Sequence, residues 1–286
     1  MWSEDELVEH LRELSLPAGA SVVAHVSMRS IGPVEGGAQT LLSALRRVLG
    51  ESGTLMAPTY TPQFTDPAES EGAPDSLDEI EKLRDAIPVF DARATPAARI
   101  AVGVFPEVVR RQPDAFRSDH PVASFAAVGP QAQRLTENVP FHYPLGSGGP
   151  LARLHDSNGW ALLIGVGQEV NSSLHLAEVW ADVPYIHRTA RVKTGPDHWV
   201  EMQGSPECSE GFYRIEPLLR QARILRSGRI GDAPSQLMRM REMVSMAVSM
   251  LQGAGDSLLC DDPNCPWCHV ARKYSEESTY IDGQTL

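Results

Sequence analysis

The strongest constraint on the fold is a short alternation near the N-terminus: apolar run, amphipathic segment, apolar run. "ASVVAHVSMRSIG" carries an apolar run from Val22 to Val26 and then small polar residues. "GGAQTLLSALRRVLGESG" spaces its Leu and Val as a helix does and stops on glycine. "GTLMAPTYT" is apolar again. Short apolar runs bounded by turn residues read as strands buried on both faces. Strand, loop, helix, strand is a βαβ unit, so the chain is predicted to be α/β with a parallel sheet. "GVFPEVVRRQP" reads as a helix with Pro106 in its first turn and Pro113 at its end. "ASFAAVG" and "GWALLIGVG" read as further buried strands, and the second feeds directly into "QEVNSSLHLAEVWADVP". "RTARVKT" and "HWVEMQ" read as a hairpin around "GPDH". "GFYRIEPLLRQARIL" and "SQLMRMREMVSMAVSMLQGAG" read as two helices, the second a Met-rich packing element.

At 286 residues and 42% hydrophobic, the chain can bury a substantial core, as one large α/β domain over 1–286 or as two small ones. Two stretches depart from the α/β pattern. The acidic segment 66–87 reads as an insertion with one short helix over the site, or as a lid. Residues 186–273 read as a C-terminal subdomain, followed by a polar, loosely held tail. No run of about 18 apolar residues suggests a membrane span. "MWSEDELVEHLREL" is a charged amphipathic helix and not a signal peptide, so a cytoplasmic protein is expected. The net charge of −12 opposes binding to nucleic acid. It suits a cationic small molecule, although an acidic surface that only confers solubility fits it equally. The oligomeric state is not legible.

His175 and Glu178 lie three residues apart, just after the strand "GWALLIGVG". On a helix that spacing puts both on one face. At the first turn, the helix dipole favours a neutral imidazole able to take a proton. A carboxylate one turn on fixes the ring's tautomer and stabilises the charge that develops. The same spacing also suits an ordinary surface pair. Should His175 not be a base, His120 is the next imidazole in line.

Other polar clusters are weaker. Ser27, Met28, Arg29, Ser30, Ile31 and Gly32 follow a strand and offer backbone N–H groups and a guanidinium, as phosphate sites do. No Walker loop or GxGxxG occurs. Arg117, Ser118, Asp119 and His120 precede the strand "ASFAAVG", where a capped turn suits them too. Ser147, Gly148 and Gly149 form a flexible loop. Cys260, Cys265 and Cys268 give C-x4-C-x2-C, and Cys208 completes four thiols. In a reducing compartment that pattern points to a structural zinc before disulfides, with His187 or His269 as alternative ligands. Four reduced buried thiols are the other reading.

"HVSMRSIGPVEGGAQTLLSALRRVLGESGTLMAPTYT", "FRSDHPVASFAAVGPQA", "GSGGPLARLHDSNGWALLIGVG" and "NSSLHLAEVWADVPY" occur in that order. Together they closely resemble the aminoglycoside 3-N-acetyltransferase family, over roughly residues 5 to 270. The resemblance implies a three-layer α/β/α sandwich, here with a zinc-clipped hairpin and helical subdomain. It implies acetyl transfer from acetyl-coenzyme A to the 3-amino group of a 2-deoxystreptamine aminoglycoside, and so antibiotic resistance. His175 becomes the general base and Glu178 its orienter. Ser27 to Gly32 hold the coenzyme A pyrophosphate. Thr59 and Ser147 to Gly149 line the pantetheine arm, with Arg117, Ser118 and His120 near the cofactor. Tyr60, Asp182 and Glu178 meet the cationic sugars. The cysteine cluster resembles the subset that includes the apramycin-acetylating branch. The variable segment 66–87 leaves the acceptor open, so a same-fold transferase acting on another amine, such as an aminophosphonate, stays in play. A zinc-stabilised binding protein and a metallohydrolase using His120 and His175 are more distant readings.

Overall fold

The computed structural model describes residues 1–70, 72–204 and 208–273, so the polar tail read after Lys273 lies outside the described residues. Nine strands are defined among them. Seven are β1 (Ser21–Val26), β2 (Thr54–Pro58), β3 (Phe116–Arg117), β4 (Phe125–Val128), β5 (Trp160–Ile164), β8 (Leu225–Ile230) and β9 (Ala233–Arg239). They form the main sheet in the order β3-β4-β2-β1-β5-β9-β8. A separate hairpin pairs β6 (Thr189–Gly195) with β7 (His198–Gln203).

The opening βαβ unit is present. Helix α1 (Glu4–Glu13) starts on a capping box, Ser3 with Glu6, and buries Leu7, Val8 and Leu11. After β1 and a four-residue helix α2 (Met28–Ile31), α3 (Ala38–Leu49) buries Leu41, Leu42, Leu45 and Leu49 before β2 begins. Along β1 the side chains alternate between two cores, as a strand covered on both faces requires. Val22, Ala24 and Val26 pack with α1 and α3. Val23 packs on the opposite face, with α7 (Ala132–Thr136), α8 (Pro150–Asp156), α9 (Ser173–Trp180) and α11 (Met240–Gly253). Helices therefore cover both faces of the sheet.

Three expectations need correction. The sheet is mixed, not parallel: β2, β1 and β5 run parallel, while β4 is antiparallel to β2, and β9 to β5. The second C-terminal helix does not begin at Ser235. Ala233–Arg239 is a strand that alternates buried and exposed side chains over most of its length, and α11 starts at Met240. Likewise α10 (Glu216–Gln221) does not run on to Leu225. Arg223 takes a left-handed conformation (φ 58°), and Leu225 opens β8. β8 and β9 meet across Gly231–Asp232, a two-residue connection with Gly231 at φ 59°. They extend the main sheet, so among the described residues of 186–273 only the β6–β7 hairpin forms a sheet of its own.

Between β2 and β3 lie α4 (Leu77–Ala86), α5 (Arg99–Val102) and α6 (Phe105–Arg110). The acidic segment 66–87 holds α4 and is tied to the β6–β7 hairpin by opposite charge. Asp66 is buried and accepts from Arg84 Nε and Nη2 at 2.9 and 2.7 Å, with Arg191 Nη1 at 3.1 Å. Burial would raise the Asp66 carboxyl, but the Arg84 and Ala68 hydrogen bonds and the two guanidiniums bring it below its ordinary value. Lys193 Nζ donates to the Arg84 and Ile87 carbonyls at 2.8 and 2.7 Å, closing the C-terminal end of α4. Asp66→Asn keeps the shape and removes the charge. It is expected to cost about 1–3 kcal/mol in urea unfolding and to speed amide exchange in α4. Unchanged exchange there would refute the clamp.

Candidate active site

The parallel strands β1, β2 and β5 end at a cleft of about 570 Å³. Ligands in α/β sheets bind at such carboxyl ends. His25, Ser27, Tyr60, Ser172 and His175 line it. Charge of both signs lines it: Arg99 belongs to α5, Glu169 precedes α9, and Glu210 lies in the segment after Cys208.

α9 begins at Ser173, so His175 sits in the first turn. Asn171 Oδ1, not a serine hydroxyl, takes the free Ser173 N–H at 3.2 Å. His175 Nδ1 lies 2.7 Å from Glu178 Oε2, and both are buried. That is no surface pair. With Nδ1 engaged by the carboxylate, Nε2 is the nitrogen left for chemistry. Tyr185 Oη donates to the other Glu178 oxygen at 3.1 Å. Phe212 packs on the His175 ring, centroids 4.8 Å apart. The imidazole is thus held from two sides. Burial, then the Glu178 charge, pushes the Tyr185 phenol far up, so it stays a donor. Tyr185 is a residue the sequence reading missed, although it closes the quoted segment "NSSLHLAEVWADVPY". Tyr185→Phe should lower kcat about three- to tenfold with little change in KM, since it loosens only the carboxylate. A rise in KM without a fall in kcat would contradict that role.

The other expected site residues divide into two groups. Ser27 and Tyr60 line the cleft beside His175. Ser27 caps α2, and its Oγ accepts from Ser30 N and Ser30 Oγ at 3.3 and 2.9 Å. Ser30 Oγ also lies 3.0 Å from Gly165 O, a second acceptor for the same hydroxyl. A Cβ on Gly165 (φ 67°) would sit 2.4 Å from Ser30 Cβ, so only glycine lets this loop close on β5. None of the other loop residues, Met28 to Gly32, lines the cleft: Arg29 is exposed, Met28 is half-buried against the core, and Ile31 is core. Gly32 (φ 84°) ends α2. Burial of the Tyr60 phenol pushes its pKa up, with the Ser172 hydroxyl pulling the other way.

The second group does not line the cleft. Arg117 donates to Thr59 Oγ1, Ser124 Oγ and the Thr59 carbonyl at 3.1, 3.0 and 2.9 Å, and stacks on Phe90. Burial draws its guanidinium down to about 10, still charged at neutral pH. Ser118 Oγ receives Phe125 N at 2.7 Å. Both nitrogens of His120 are engaged by the backbone: Nε2 with Phe141 O at 3.1 Å, and Nδ1 with Val122 N and Ala123 N at 3.2 and 3.0 Å. These residues brace the β3–β4 edge and the wall behind Tyr60. Ser147 accepts from Trp180 Nε1 at 2.9 Å in the loop with Gly148 and Gly149. Asp182 (φ 52°) is exposed and pairs with His187 Nε2 at 3.2 Å.

Away from the cleft, the sulfurs of Cys208, Cys260, Cys265 and Cys268 all lie within 4.8 Å of one another. A zinc tetrahedron with bonds of about 2.3 Å needs sulfurs roughly 3.8 Å apart, so the four fit around one ion with little movement. Cys260 N–H and Cys268 N–H point at Cys268 Sγ and Cys265 Sγ, at 3.4 and 3.5 Å, as donors to thiolates would. The set contains neither His187 nor His269.

Sheet, cleft and buried imidazole–carboxylate pair are together those of an α/β enzyme. Residues 23–252 match the family described as aminoglycoside 3-N-acetyltransferase, and the chain belongs to that family of acyltransferases. Aminoglycoside N(3)-acetyltransferase IV of Salmonella sp is 33% identical over 255 residues, which cover 87% of either chain. The structure of the apoenzyme AAC(3)-IVa superposes with a TM-score of 0.82 at 30% identity, covering 96% of this chain and 98% of that one. A mutant of AAC(3)-IVa has been solved with a gentamicin and with apramycin. AAC-IIIb, solved as a binary complex with CoASH, is 27% identical with a TM-score of 0.77, over 88% of this chain and 97% of that one. Among the described residues, no helix is long and apolar enough to cross a membrane.

Proposed function

We propose that this chain transfers the acetyl group of acetyl-coenzyme A to the 3-amino group of a 2-deoxystreptamine aminoglycoside, and so confers resistance to it. The observation that carries this reading is the His175–Glu178 pair, buried at 2.7 Å on the wall of the cleft. An aminoglycoside amine is largely protonated near neutral pH and must lose a proton to attack. His175 Nε2 takes that proton, directly or through a water, while Glu178 holds the ring and balances its charge. The free amine attacks the thioester carbonyl, and coenzyme A leaves as the thiol. Among the described residues no cysteine lines the cleft to carry the acetyl group, which favours direct transfer within a ternary complex.

The charged residues of the cleft support a division between the two substrates. Anionic coenzyme A lies along Ser27–Gly32 and Arg99, and the polycationic acceptor meets Glu169 and Glu210. Tyr60 contacts the acceptor near the reacting amine. Thr59, Arg117, Ser118 and His120 act through the wall they brace. Asp182 and the Ser147–Gly149 loop lie at the rim, where they reach only the outer parts of a bound substrate. A structural zinc at the four cysteines completes the enzyme, which works as a cytoplasmic protein.

The test is thiol release from acetyl-coenzyme A with a panel of aminoglycosides. Turnover with apramycin or gentamicin is expected, and expression in a sensitive bacterium should raise tolerance to the same drugs. A panel with no aminoglycoside turned over, but with another amine acetylated, would overturn the acceptor assignment.

A further inference from the structure

His25 is the buried titratable group that this mechanism leaves unused. It lies one residue from the end of β1, the strand between β2 and β5. By the alternation along β1 it shares the face of Val23, the face covered by α9. Its ring lines the same cleft as His175. It is 6% exposed, and its Nε2 is buried with no hydrogen-bond partner among the described residues. The contrast with the other buried imidazoles is direct. Both nitrogens of His120 are satisfied by the backbone, and His175 Nδ1 is satisfied by Glu178. Proteins rarely leave a buried nitrogen orphaned unless a partner arrives from outside. His25 lines the cleft, so a bound substrate is the partner nearest to hand.

Burial first, and then the charge His175 can carry, draw the His25 imidazole down to about 4. At working pH it is neutral. It does not compete with His175 for the amine proton, and it keeps one N–H to donate. Neutral imidazoles serve in this way as electrophiles toward carbonyl oxygens.

We propose that His25 is a further catalytic residue of the acetyl transfer, donating a hydrogen bond from Nε2–H to the acetyl carbonyl oxygen as negative charge builds there. The inference rests on the acetyltransferase reading above. As the amine nitrogen bonds to the carbonyl carbon, the C=O π pair moves onto oxygen, and His25 stabilises that oxyanion. His175 takes the amine proton. When the pair returns to re-form C=O, the C–S bond breaks, and the thiolate leaves and receives the proton from His175. The proton on His25 never moves.

Amide substitutions separate this role from packing. A glutamine amide reaches the place of the imidazole Nε2, and an asparagine amide the place of Nδ1; neither titrates. We expect His25→Gln to keep kcat within about tenfold of wild type, with the acid limb of its pH profile in place. His25→Asn and His25→Leu should lose about 10²–10³ in kcat with the aminoglycoside KM within about threefold. If the leucine variant fails to fold, the glutamine–asparagine contrast carries the comparison. A glutamine variant as slow as the asparagine, wild-type rates in all variants, or a loss confined to KM would each overturn the role. Wild-type enzyme is run beside them with acetyl-coenzyme A and the same panel. Absence of wild-type turnover overturns the functional reading and this inference together. Active wild type with unresponsive variants overturns this inference alone.

Discussion

His175→Ala is expected to lower kcat for aminoglycoside acetylation by about 10²–10⁴-fold, the usual contribution of a positioned general base. The geometry explains why so much depends on one ring. His175 is held by Glu178 on one side and Phe212 on the other, and the carboxylate is in turn held by Tyr185. Truncation removes the base and also leaves a buried carboxylate with one partner fewer, which by itself can destabilise the chain. His175→Asn answers that objection. Its amide can still donate to Glu178 from the place of Nδ1, yet it cannot take a proton. Both variants should lose rate to a similar degree, and the asparagine variant should melt closer to wild type. Near-wild-type turnover in either folded variant would reduce the pair to a structural one. His120 offers no replacement, since both its nitrogens are bonded to the backbone.

The parts of this site legible in the sequence are those set by local periodicity. A strand running directly into a helix fixes where His175 lies, and the i, i+3 spacing fixes its pairing with Glu178. The parts that were not legible depend on distant chain. Tyr185 reaches Glu178 only because the backbone turns at Asp182 after α9. Phe212, Ser209 and Glu210 come from a segment more than thirty residues on, and nothing local announces them. His25 was visible as a residue, but its unsatisfied nitrogen is a property of packing. The sheet shows the same division. The βαβ unit has a strong local signature, whereas "SQLMRM" continues into a helix and hides a strand whose partner lies across a glycine turn. Arg117 and His120 are polar beside a strand, which suits a ligand contact and a capped turn alike. The fold uses their donors and acceptors internally instead.

Removal of metal is expected to be the second large effect, and its order of events is diagnostic. Protein purified without chelator should carry about one zinc per chain, held by Cys208, Cys260, Cys265 and Cys268. Without a cation the sulfurs are in conflict over protons: burial and neighbouring sulfurs raise the Cys208 and Cys268 thiols, the latter to about 12, while hydrogen bonds from Cys268, Cys260 and Trp267 outweigh burial and lower Cys265. A bound dication removes that conflict by holding thiolates. Three of the ligands belong to the core that contains α9 and α11, and Cys208 packs against it. Cys208 also begins the segment whose Ser209 and Glu210 line the cleft and whose Phe212 buttresses His175. Cys265→Ser, or chelation under mild denaturant, should therefore release the metal and lower Tm by about 10 °C or more, which is several kcal/mol for a chain of this size. Amide exchange should rise first in 208–215, and turnover should fall in step with that loosening. A catalytic zinc would behave differently, abolishing turnover while Tm and exchange held. Metal-free protein with unchanged Tm would show that the four thiols pack as reduced cysteines, and the wall carrying Phe212 would then owe its position to the α9–α11 core alone.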